Sequence, residues 1–497
     1  MFILSQEPIS IESAVELSQH PQTLHIDPAS TYDSQQCYEY VLQVAQNSDM
    51  LIYGINTGFG ALANTAISKE ELKQLQINLL RSHACGMGDT VPIPIVRLML
   101  LFKIKALLKG YSGVNPATIQ QLAFLWNANL IPVVYTQGSL GASGDLAPLA
   151  HLSLPLIKEG QVWLQGKITA TQEVESIQPI ELGPKEGLAL INGTQFITAY
   201  GAYCIDKATQ LWHWANAIAA LSLEVFDGRI EPFDERLQAI RPHVGQSKAA
   251  EAIRKWVQGS QSIRRTKNHV QDPYSLRCIP QVHGATYTAL QHALEVFTTE
   301  INAVSDNPNI FYHDKVVLSG GNFHAQVLAL PLDYLAMAMC ELANISERRT
   351  YLLLSGQRGL PLFLGPNPGL NSGLMIPQYV AAGIVSEVKM LCMPNSVDSI
   401  PTSNGQEDHV SMGANSAVKL YKILDNIEKV LAIELLCAAQ GFSLKKEMNI
   451  SPSLKYLHQC YREVVPFIDK DRFLHQDLLA SVRFLQENKA SKFLIEE

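Results

Sequence analysis

The sequence predicts a mainly α protein, an elongated bundle of long helices with a smaller mixed N-terminal lobe. Only 17% of the 497 residues are charged and 47% are hydrophobic, so more surface is buried than in a typical soluble domain. Long apolar segments with helical periodicity dominate the second half, and helices of about 25 residues are roughly 40 Å long. These segments are 286–303, 328–354, 377–391 and 414–439.

Composition and charge exclude several classes of protein. The net charge of −8 comes without a block of like charges, so we expect neither a nucleic-acid partner nor a membrane partner. The eight cysteines are scattered without a C-x-x-C pair, which predicts reduced thiols rather than a zinc or redox site. The start Met1-Phe2-Ile3-Leu4 soon turns polar and resembles no secretory signal. No run is expected to span a bilayer, and the predicted location is cytoplasmic.

We predict two domains along the chain, residues 1–195 and residues 196–497. In the first domain, apolar spacing predicts helices at 11–17, 34–45 and 69–82, two more within 92–130, and one from Glu186 onward. Residues 52–60 break this periodicity with three glycines and predict a loop, and 131–135 are extended. In the second domain, the polar segment 226–268 predicts a surface excursion before the long helices.

A glycine-rich turn at 138–151, with the sequence GSLGASGDLAPLAH, is the most distinctive stretch. At its centre, the Gly144 nitrogen could attack the Ala142 carbonyl carbon, because small neighbours leave both atoms unhindered. Loss of one water from the new ring and one from Ser143 would leave an imidazolone with an exocyclic methylidene, an electrophile that no ordinary side chain provides. The alternative is that Ser143 or Asp145 caps the helix that begins near Leu146.

The longer string GSLGASGDLAPLAHLSL resembles the signature of the aromatic amino acid ammonia-lyase family, and further motifs match in order over most of the chain. The resemblance implies that Ala142-Ser143-Gly144 becomes 4-methylidene-imidazol-5-one without an external cofactor. It also implies that the N-terminal lobe carries a mobile lid and the prosthetic-group loop. Capture of the substrate amine by such an electrophile would improve a poor leaving group and place the β-carbon against a base.

The lid is implied by the string YGINTGFG, which begins at Tyr53. In the family the matching tyrosine is the catalytic base, so we expect the site to favour the ionised form of Tyr53; in isolation, an ordinary packed aromatic is as good an interpretation. His83 follows Arg81-Ser82 at a predicted helix end, where a capping or core role is common. The family match places it against the substrate ring.

The string QDPYSLRC resembles the family motif whose arginine binds the substrate carboxylate, here Arg277, with Gln271 and Tyr274 lining the site. A guanidinium in a fixed loop suits bidentate recognition of a carboxylate; the alternative is an arginine that ties loops together. The resemblance further implies that Asn192, otherwise a helix cap, contacts the prosthetic ring and substrate. Phe323, in a glycine-rich break, is expected to contact the substrate.

Substrate choice depends on His83 and Glu407. The string QEDHVSM resembles the histidine-specific branch of the family, and the two residues together favour deamination of L-histidine to trans-urocanate and ammonia. One departure from the pattern is Asn404-Gly405 before Gln406, which puts the geometry around Glu407 in doubt. The contiguous Glu407-Asp408-His409 lacks the spacing of a facial metal site, so no metal is expected.

Three alternatives stay open. A tyrosine ammonia-lyase is also compatible with Arg81-Ser82-His83, and a 2,3-aminomutase needs no motif beyond the same ring. A non-catalytic helical scaffold would not need the polar residues that match the family. Low charge content and long apolar helices also predict a homotetramer, and the resemblance implies active sites shared between chains.

Overall fold

The structure, a computed structural model, describes residues 1–47, 51–445 and 447–495. It is 58% helix and 8% strand, which confirms the mainly α prediction. Two compact units can be distinguished, each built from several chain segments. The first comprises residues 1–206, 294–333 and 394–418, and the second comprises 207–293, 334–393 and 419–497. The predicted domains 1–195 and 196–497 stay a prediction.

Seven helices belong to the described part of the first unit alone. They are α1 (Ile11–Gln19), α2 (Tyr32–Asn47), α3 (Leu72–His83), α4 (Ile93–Leu108), α5 (Pro116–Asn127), α6 (Leu146–Ser153) and α7 (Glu186–Ile191). Helix α4 is apolar on nearly all sides and is buried, as such helices are in protein cores. Asn115 begins α5 by accepting from the Ala117 nitrogen, with Pro116 in the first turn.

Four of the five boundaries between the two units fall within long helices. These are α8 (Gln195–Val225), α12 (Ile279–Glu300), α13 (Gln326–Leu353) and α15 (Gly413–Leu444). The predicted long helices at 286–303, 328–354 and 414–439 correspond to the last three. For α8, the sequence predicts only a helix that begins near Glu186. The structure instead has two helices there, α7, which ends before Asn192, and α8, which begins at Gln195.

Helices of the second unit alone complete the described α structure. They are α9 (Glu235–Ala239), α10 (Val244–Trp256), α11 (Tyr274–Arg277), α14 (Met375–Leu391), α16 (Pro452–Val464) and α17 (His475–Glu487). The predicted excursion at 226–268 therefore contains α10, whose buried face includes Ala250, Ile253 and Trp256. The prediction missed this helix because its apolar face is narrow among many charged residues.

The strands are short, and all those described belong to the first unit. They are β1 (Phe2–Leu4), β2 (Leu24–Ile26), β3 (Met87–Thr90), β4 (Ile131–Pro132), β5 (Tyr135–Gln137), β6 (Gln161–Leu164), β7 (Lys167–Ala170), β8 (Asn309–Phe311) and β9 (Val316–Leu318). Strands β1 and β2 pair in parallel, whereas β3–β5, β4–β6–β7 and β8–β9 are antiparallel.

Helix α13 corrects one expectation. The sequence predicts no run able to span a bilayer, yet α13 is long and apolar enough to do so by length and composition alone. However, 67% of its apolar window is buried within the protein. Such burial is typical of a core helix. Within the first unit, α3, α6 and α7 pack against one another, which brings together the end of α3, the start of α6 and the end of α7.

Candidate active site

The glycine-rich loop before α6 is fixed from one side by Asp145. The buried Asp145 carboxylate accepts hydrogen bonds from the Phe196 and Ile197 nitrogens, both at 3.0 Å, and from Ser139 Oγ at 2.7 Å. It therefore caps the start of α8, and its side chain makes no capping bond to α6. Burial raises the pKa of Asp145 to about 6, although these hydrogen bonds oppose the shift. Asp145 is thus the N-cap residue of α6 by position, as predicted, but its carboxylate caps α8 instead.

Gly144 lies against the backbone of Gly193. Its φ is +76°, and a Cβ added there would lie 2.2 Å from the Gly193 oxygen. The Asp145 nitrogen donates to that same oxygen at 2.7 Å. Only glycine fits this position without moving the backbone.

The other side of the loop is held by segment 411–413 and the start of α13. The Gly141 carbonyl accepts from Ser411 Oγ at 2.8 Å and from the Ala325 nitrogen at 3.1 Å. The Met412 nitrogen donates to the Leu140 carbonyl at 2.8 Å, and buried Ala142 belongs to an apolar cluster with Met412. Hydrogen bonds thus fix the chain on both sides of residues 142–144.

Ser143 points away from these anchors toward Glu407. Its Oγ donates to Glu407 Oε1 at 2.5 Å, and Thr402 Oγ1 donates to Oε2 at 2.5 Å. Ser143 is therefore not engaged as a cap of α6. Both carboxylate oxygens have a partner, so the position of the Glu407 side chain is well defined.

A tight turn presents Glu407. The Thr402 nitrogen donates to the Glu407 carbonyl at 3.0 Å, and between them Ser403, Asn404 and Gly405 have φ values of 51°, 54° and 82°. Asparagine and glycine adopt left-handed backbone more readily than most residues. The Asn404-Gly405 departure is therefore compatible with a turn that directs Glu407 to Ser143.

Tyr53 lines the site from the loop before α3. Its hydroxyl accepts a long hydrogen bond of 3.4 Å from the Gly60 nitrogen. Burial raises the pKa of Tyr53, the Gly60 N–H opposes this effect, and the negative charge of Glu407 raises the pKa further. These influences favour the protonated phenol in the described chain, and the expectation that the site favours the ionised form of Tyr53 stays a prediction.

His83, the last residue of α3, bonds within its own helix and also lines a cavity, and its contact with a substrate ring stays a prediction. Its Nδ1 lies 2.9 Å from the Leu79 carbonyl, one turn earlier, while the ring lines the cavity. Ser82 Oγ also lies 3.0 Å from Nδ1. The Leu79 carbonyl can only accept, so its contact is a hydrogen bond in the tautomer with the proton on Nδ1, in which Nε2 is an acceptor. Burial lowers the pKa of His83, which favours that neutral ring.

Asn192 ends α7 and carries an unused acceptor. Its backbone oxygen accepts from Lys103 Nζ at 2.8 Å, whereas its side-chain Oδ1 is buried without a hydrogen-bond partner among the described residues. A buried unpaired amide oxygen is costly and indicates a missing donor.

These side chains surround two neighbouring cavities of about 560 and 600 Å³. The first is lined mainly by apolar residues such as Leu79 and Leu188 and includes His83. The second is more polar and includes Ala142, Phe323 and His409. Both cavities are lined by Tyr53, Gly60, Ser143, Asn192, Ser403 and Glu407. The described lining residues all belong to the first unit.

Gln271, Tyr274 and Arg277 belong to the second unit and line neither cavity. The Arg277 guanidinium lies 4.5 Å from the centroid of the Tyr274 ring. Arg277 Nε is buried and has no hydrogen-bond partner among the described residues. Tyr274 is exposed. This segment thus carries a donor suited to a carboxylate.

Two site residues were missed from the sequence. No sequence pattern indicates Thr402, because threonine is common in polar loops. Lys103 could be noticed as a lysine inside the mostly apolar α4, where a buried amino group needs acceptors. Its Nζ donates to Ala189 and Asn192 carbonyls. Across residues 1–47, 51–445 and 447–495, no group of three His, Cys, Asp or Glu side chains is placed to hold a metal ion.

The chain belongs to the aromatic amino acid lyase family, whose model matches residues 9–463. Within that family it is similar to histidine ammonia-lyases. The histidine ammonia-lyase of Geobacillus thermodenitrificans (strain NG80-2) is 50% identical over 446 residues, which are 88% of this chain and 88% of that protein. The one from Halalkalibacterium halodurans is 44% identical over 490 residues, 98% of this chain and 96% of that protein.

Solved structures share the fold over almost the whole chain. Histidine ammonia-lyase from Trypanosoma cruzi has a TM-score of 0.92 at 36% identity, covering 99% of this chain and 94% of that one. Tyrosine aminomutase from Streptomyces globisporus has a TM-score of 0.94 at 32% identity, covering 99% and 98%. Fold similarity alone therefore does not separate a lyase from an aminomutase.

Proposed function

We propose that this chain catalyses the non-oxidative deamination of L-histidine to trans-urocanate and ammonia, the first step of histidine degradation. The observation that carries the proposal is the contact of Glu407 with Ser143 in a site that also contains His83. An acidic and an imidazole side chain beside one cavity suit a polar substrate ring better than a phenyl ring. Relatives named histidine ammonia-lyase at 43–50% identity support this assignment.

The prosthetic group we propose is 4-methylidene-imidazol-5-one, formed from Ala142, Ser143 and Gly144 without an external cofactor. Two observations support the fit: Gly144 packs where no Cβ has room, and Asn192 Oδ1 lacks a donor nearby. When formed, the group supplies an electrophilic carbon for the substrate amine. The anchored ends of the loop support ring closure, because they limit the conformations open to residues 142–144.

Proton removal from the β-carbon is assigned to Tyr53. The phenol must lose its own proton first, and burial opposes this loss. The Gly60 N–H stabilises a phenolate, and the ammonium group of a bound amino acid would add a positive charge nearby, which lowers the pKa of a phenol. We therefore infer that Tyr53 becomes an effective base only when substrate is bound.

Ring recognition is assigned to His83 and Glu407. The free Nε2 of neutral His83 can accept from a substrate imidazole N–H. Glu407 can pair with the imidazole or with the amine, and Thr402 restrains its second oxygen. An apolar residue in place of His83 would remove that acceptor from the cavity wall.

Carboxylate recognition is assigned to Arg277 with Gln271 and Tyr274, and substrate contact to Phe323. We further propose an elongated helical bundle that assembles as a cytoplasmic homotetramer, with sites built from several chains. Exposed apolar side chains along α13 and α14 support association, because large exposed apolar patches are rare on monomers. They include Tyr334, Met337, Tyr351, Ile376, Tyr379 and Met390.

Product analysis tests the function. Purified protein incubated with L-histidine should release one ammonia for each trans-urocanate, followed by the ultraviolet absorbance of urocanate. A β-amino acid accumulating instead would identify an aminomutase, the activity named for the Streptomyces globisporus structure. Absence of any turnover in correctly folded protein would support the scaffold alternative and refute the proposal.

A further inference from the structure

The segment that carries Gln271, Tyr274 and Arg277 is anchored by a buried carboxylate, Asp272. Its side chain is fully buried, although Gln271 on one side and Tyr274 beyond Pro273 are exposed. Asp272 Oδ2 accepts from the Arg229 nitrogen at 2.6 Å, and Oδ1 accepts from Arg358 Nη1 at 2.6 Å. Each oxygen is thus held by a donor that is distant in the sequence but belongs to the same unit.

The two arginines hold the surrounding backbone as well. Arg229 Nη1 donates to the His269 carbonyl at 2.6 Å, and Arg358 Nη2 lies 3.5 Å from the Gln271 carbonyl. Arg358 is itself fixed, since its guanidinium stacks 4.6 Å from the centroid of the Phe226 ring. Lys445 Nζ also donates to the Arg358 carbonyl at 2.7 Å. Asp272 is therefore the centre of a network that defines the backbone on both sides of it.

The position of Arg277 depends on this backbone. Pro273 directly follows Asp272 and begins the single turn α11, in which the Arg277 nitrogen donates to the Pro273 carbonyl at 3.1 Å. The Arg277 guanidinium contacts Tyr274 of the same turn. Its Nε lacks a partner within the described ranges, so no hydrogen bond through Nε fixes this guanidinium independently of α11. A shift of α11 would move Arg277 and Tyr274 together.

We propose that Asp272 is the positioning residue for substrate-carboxylate recognition, acting through Arg277 and Gln271 without touching the substrate. His269 Nε2 also lies 3.1 Å from Asp272 Oδ1, but the two atoms do not have the geometry of a hydrogen bond. The inference rests on the proposed function, because it assumes that Arg277 binds the carboxylate. A carboxamide cannot replace Asp272, since one of its two polar atoms would turn an N–H toward a donor.

The test compares ligands that differ in the carboxylate. Competitive inhibition of histidine turnover is measured with trans-urocanate, which has a carboxylate, and with histamine, which has none. In the purified protein, Asp272→Asn should raise the KM for histidine and the inhibition constant of urocanate by about 10-fold to 100-fold, as for a displaced positioning group. The inhibition constant of histamine should stay within a factor of about two.

A matched control is Asp477→Asn in the same unit. Asp477 also pairs with an arginine, Arg472, through two hydrogen bonds of 2.9 and 3.0 Å, but it lies far along the chain from α11. This variant should lose thermal stability without changing the ratio of the two inhibition constants. Arg358→Lys provides a second variant if Asp272→Asn does not fold, and it should weaken urocanate more than histamine.

Arg277→Met distinguishes the proposed carboxylate site from the positioning role of Asp272. If Arg277→Met weakens urocanate binding but Asp272→Asn and Arg358→Lys do not, the positioning role is wrong and the proposed site stands. If Arg277→Met leaves urocanate binding unchanged, both the carboxylate site and the positioning role fail. In the Arg277→Met background, Asp272→Asn should add little further loss, because the two residues act in series; fully additive losses would overturn the inference.

Discussion

The Ser143 hydroxyl donates a hydrogen bond of 2.5 Å to Glu407 Oε1, and these two residues are 264 positions apart in the sequence. The residue proposed to form the electrophile therefore meets the carboxylate proposed to select the substrate. A Ser143 that has lost its hydroxyl no longer donates to Glu407. Oε1 then becomes available to the substrate, while Thr402 continues to restrain Oε2.

Ring formation predicts a change in mass. The wild-type protein should be lighter than its encoded chain by two waters, as measured by intact mass spectrometry, because ring closure and loss of the Ser143 hydroxyl each release one. Ser143→Ala should fold, and its mass should lie below its encoded mass by at most one water, because the alanine side chain has no hydroxyl to lose. It should turn over histidine more than about 10³-fold more slowly than wild type. An unmodified mass in fully active wild-type protein would contradict the self-formed ring.

Gly144→Ala should block maturation and destabilise the fold. The new Cβ would lie 2.2 Å from the Gly193 oxygen at a φ of +76°, which adds a clash to a backbone cost of about 1 kcal/mol or more. The matched control is Gly166→Ala, where φ is +78° and no atom lies within 4 Å. The control should show only the small backbone cost and the normal mature mass. Equal behaviour of the two variants in thermal unfolding and mass would show that the clash is not decisive.

Glu407→Gln and His83→Leu should change different kinetic parameters. If Glu407 assists the reaction in the transition state, its carboxamide variant should mainly lower kcat, by about 10²-fold or more. His83→Leu should mainly raise the KM for histidine and admit apolar rings, because it removes an acceptor from the cavity wall. Steady-state kinetics with histidine and phenylalanine measures both. The same kcat and KM changes in the two variants would contradict the separate roles.

Lys103 should give the protein a pH-dependent stability. Burial lowers the pKa of Lys103 from 10.5 to about 7, and nearby Asp306 opposes the shift. Between those two values the unfolded chain binds this proton and the folded chain does not, so its contribution to stability rises with pH, by at most about 1.4 kcal/mol per pH unit.

Thermal unfolding of wild type and Lys103→Met checks this sign. The Tm of wild type minus that of the variant should increase from pH 7 to pH 9. Lys73→Met is the control, because Lys73 is exposed and its partner Glu181 raises its pKa instead. A difference that shrinks over this range would refute the assignment of a neutral buried Lys103.

The sequence predicts the long helices because their apolar periodicity persists for many turns, and α13 and α15 differ from the predicted segments by only a few residues at most ends. It indicates Asn192 as a possible helix cap, but it does not predict that Lys103 donates to the Asn192 carbonyl at the end of α7. Likewise, Asp145 resembles a cap of the next helix in the chain. Its actual partners, at the start of α8, are tertiary and leave no local pattern.

The candidate site is predicted only in part from the sequence. Motifs identify Tyr53, Ser143 and Glu407 as polar residues in breaks between helices, and the structure brings these three to one cavity. The direction of the Tyr53 pKa shift could not be predicted, because it depends on burial and on the distance to Glu407. Neither quantity is encoded in the spacing of a motif.

The most direct test of the central claim is a comparison of L-histidine, L-tyrosine and L-phenylalanine as substrates for the purified wild-type protein. Product absorbance distinguishes the three reactions, since urocanate absorbs at shorter wavelength than coumarate. Glu407 and His83 predict that kcat/KM is highest for L-histidine, with trans-urocanate as product. A higher kcat/KM for L-tyrosine would contradict the assignment of histidine as substrate.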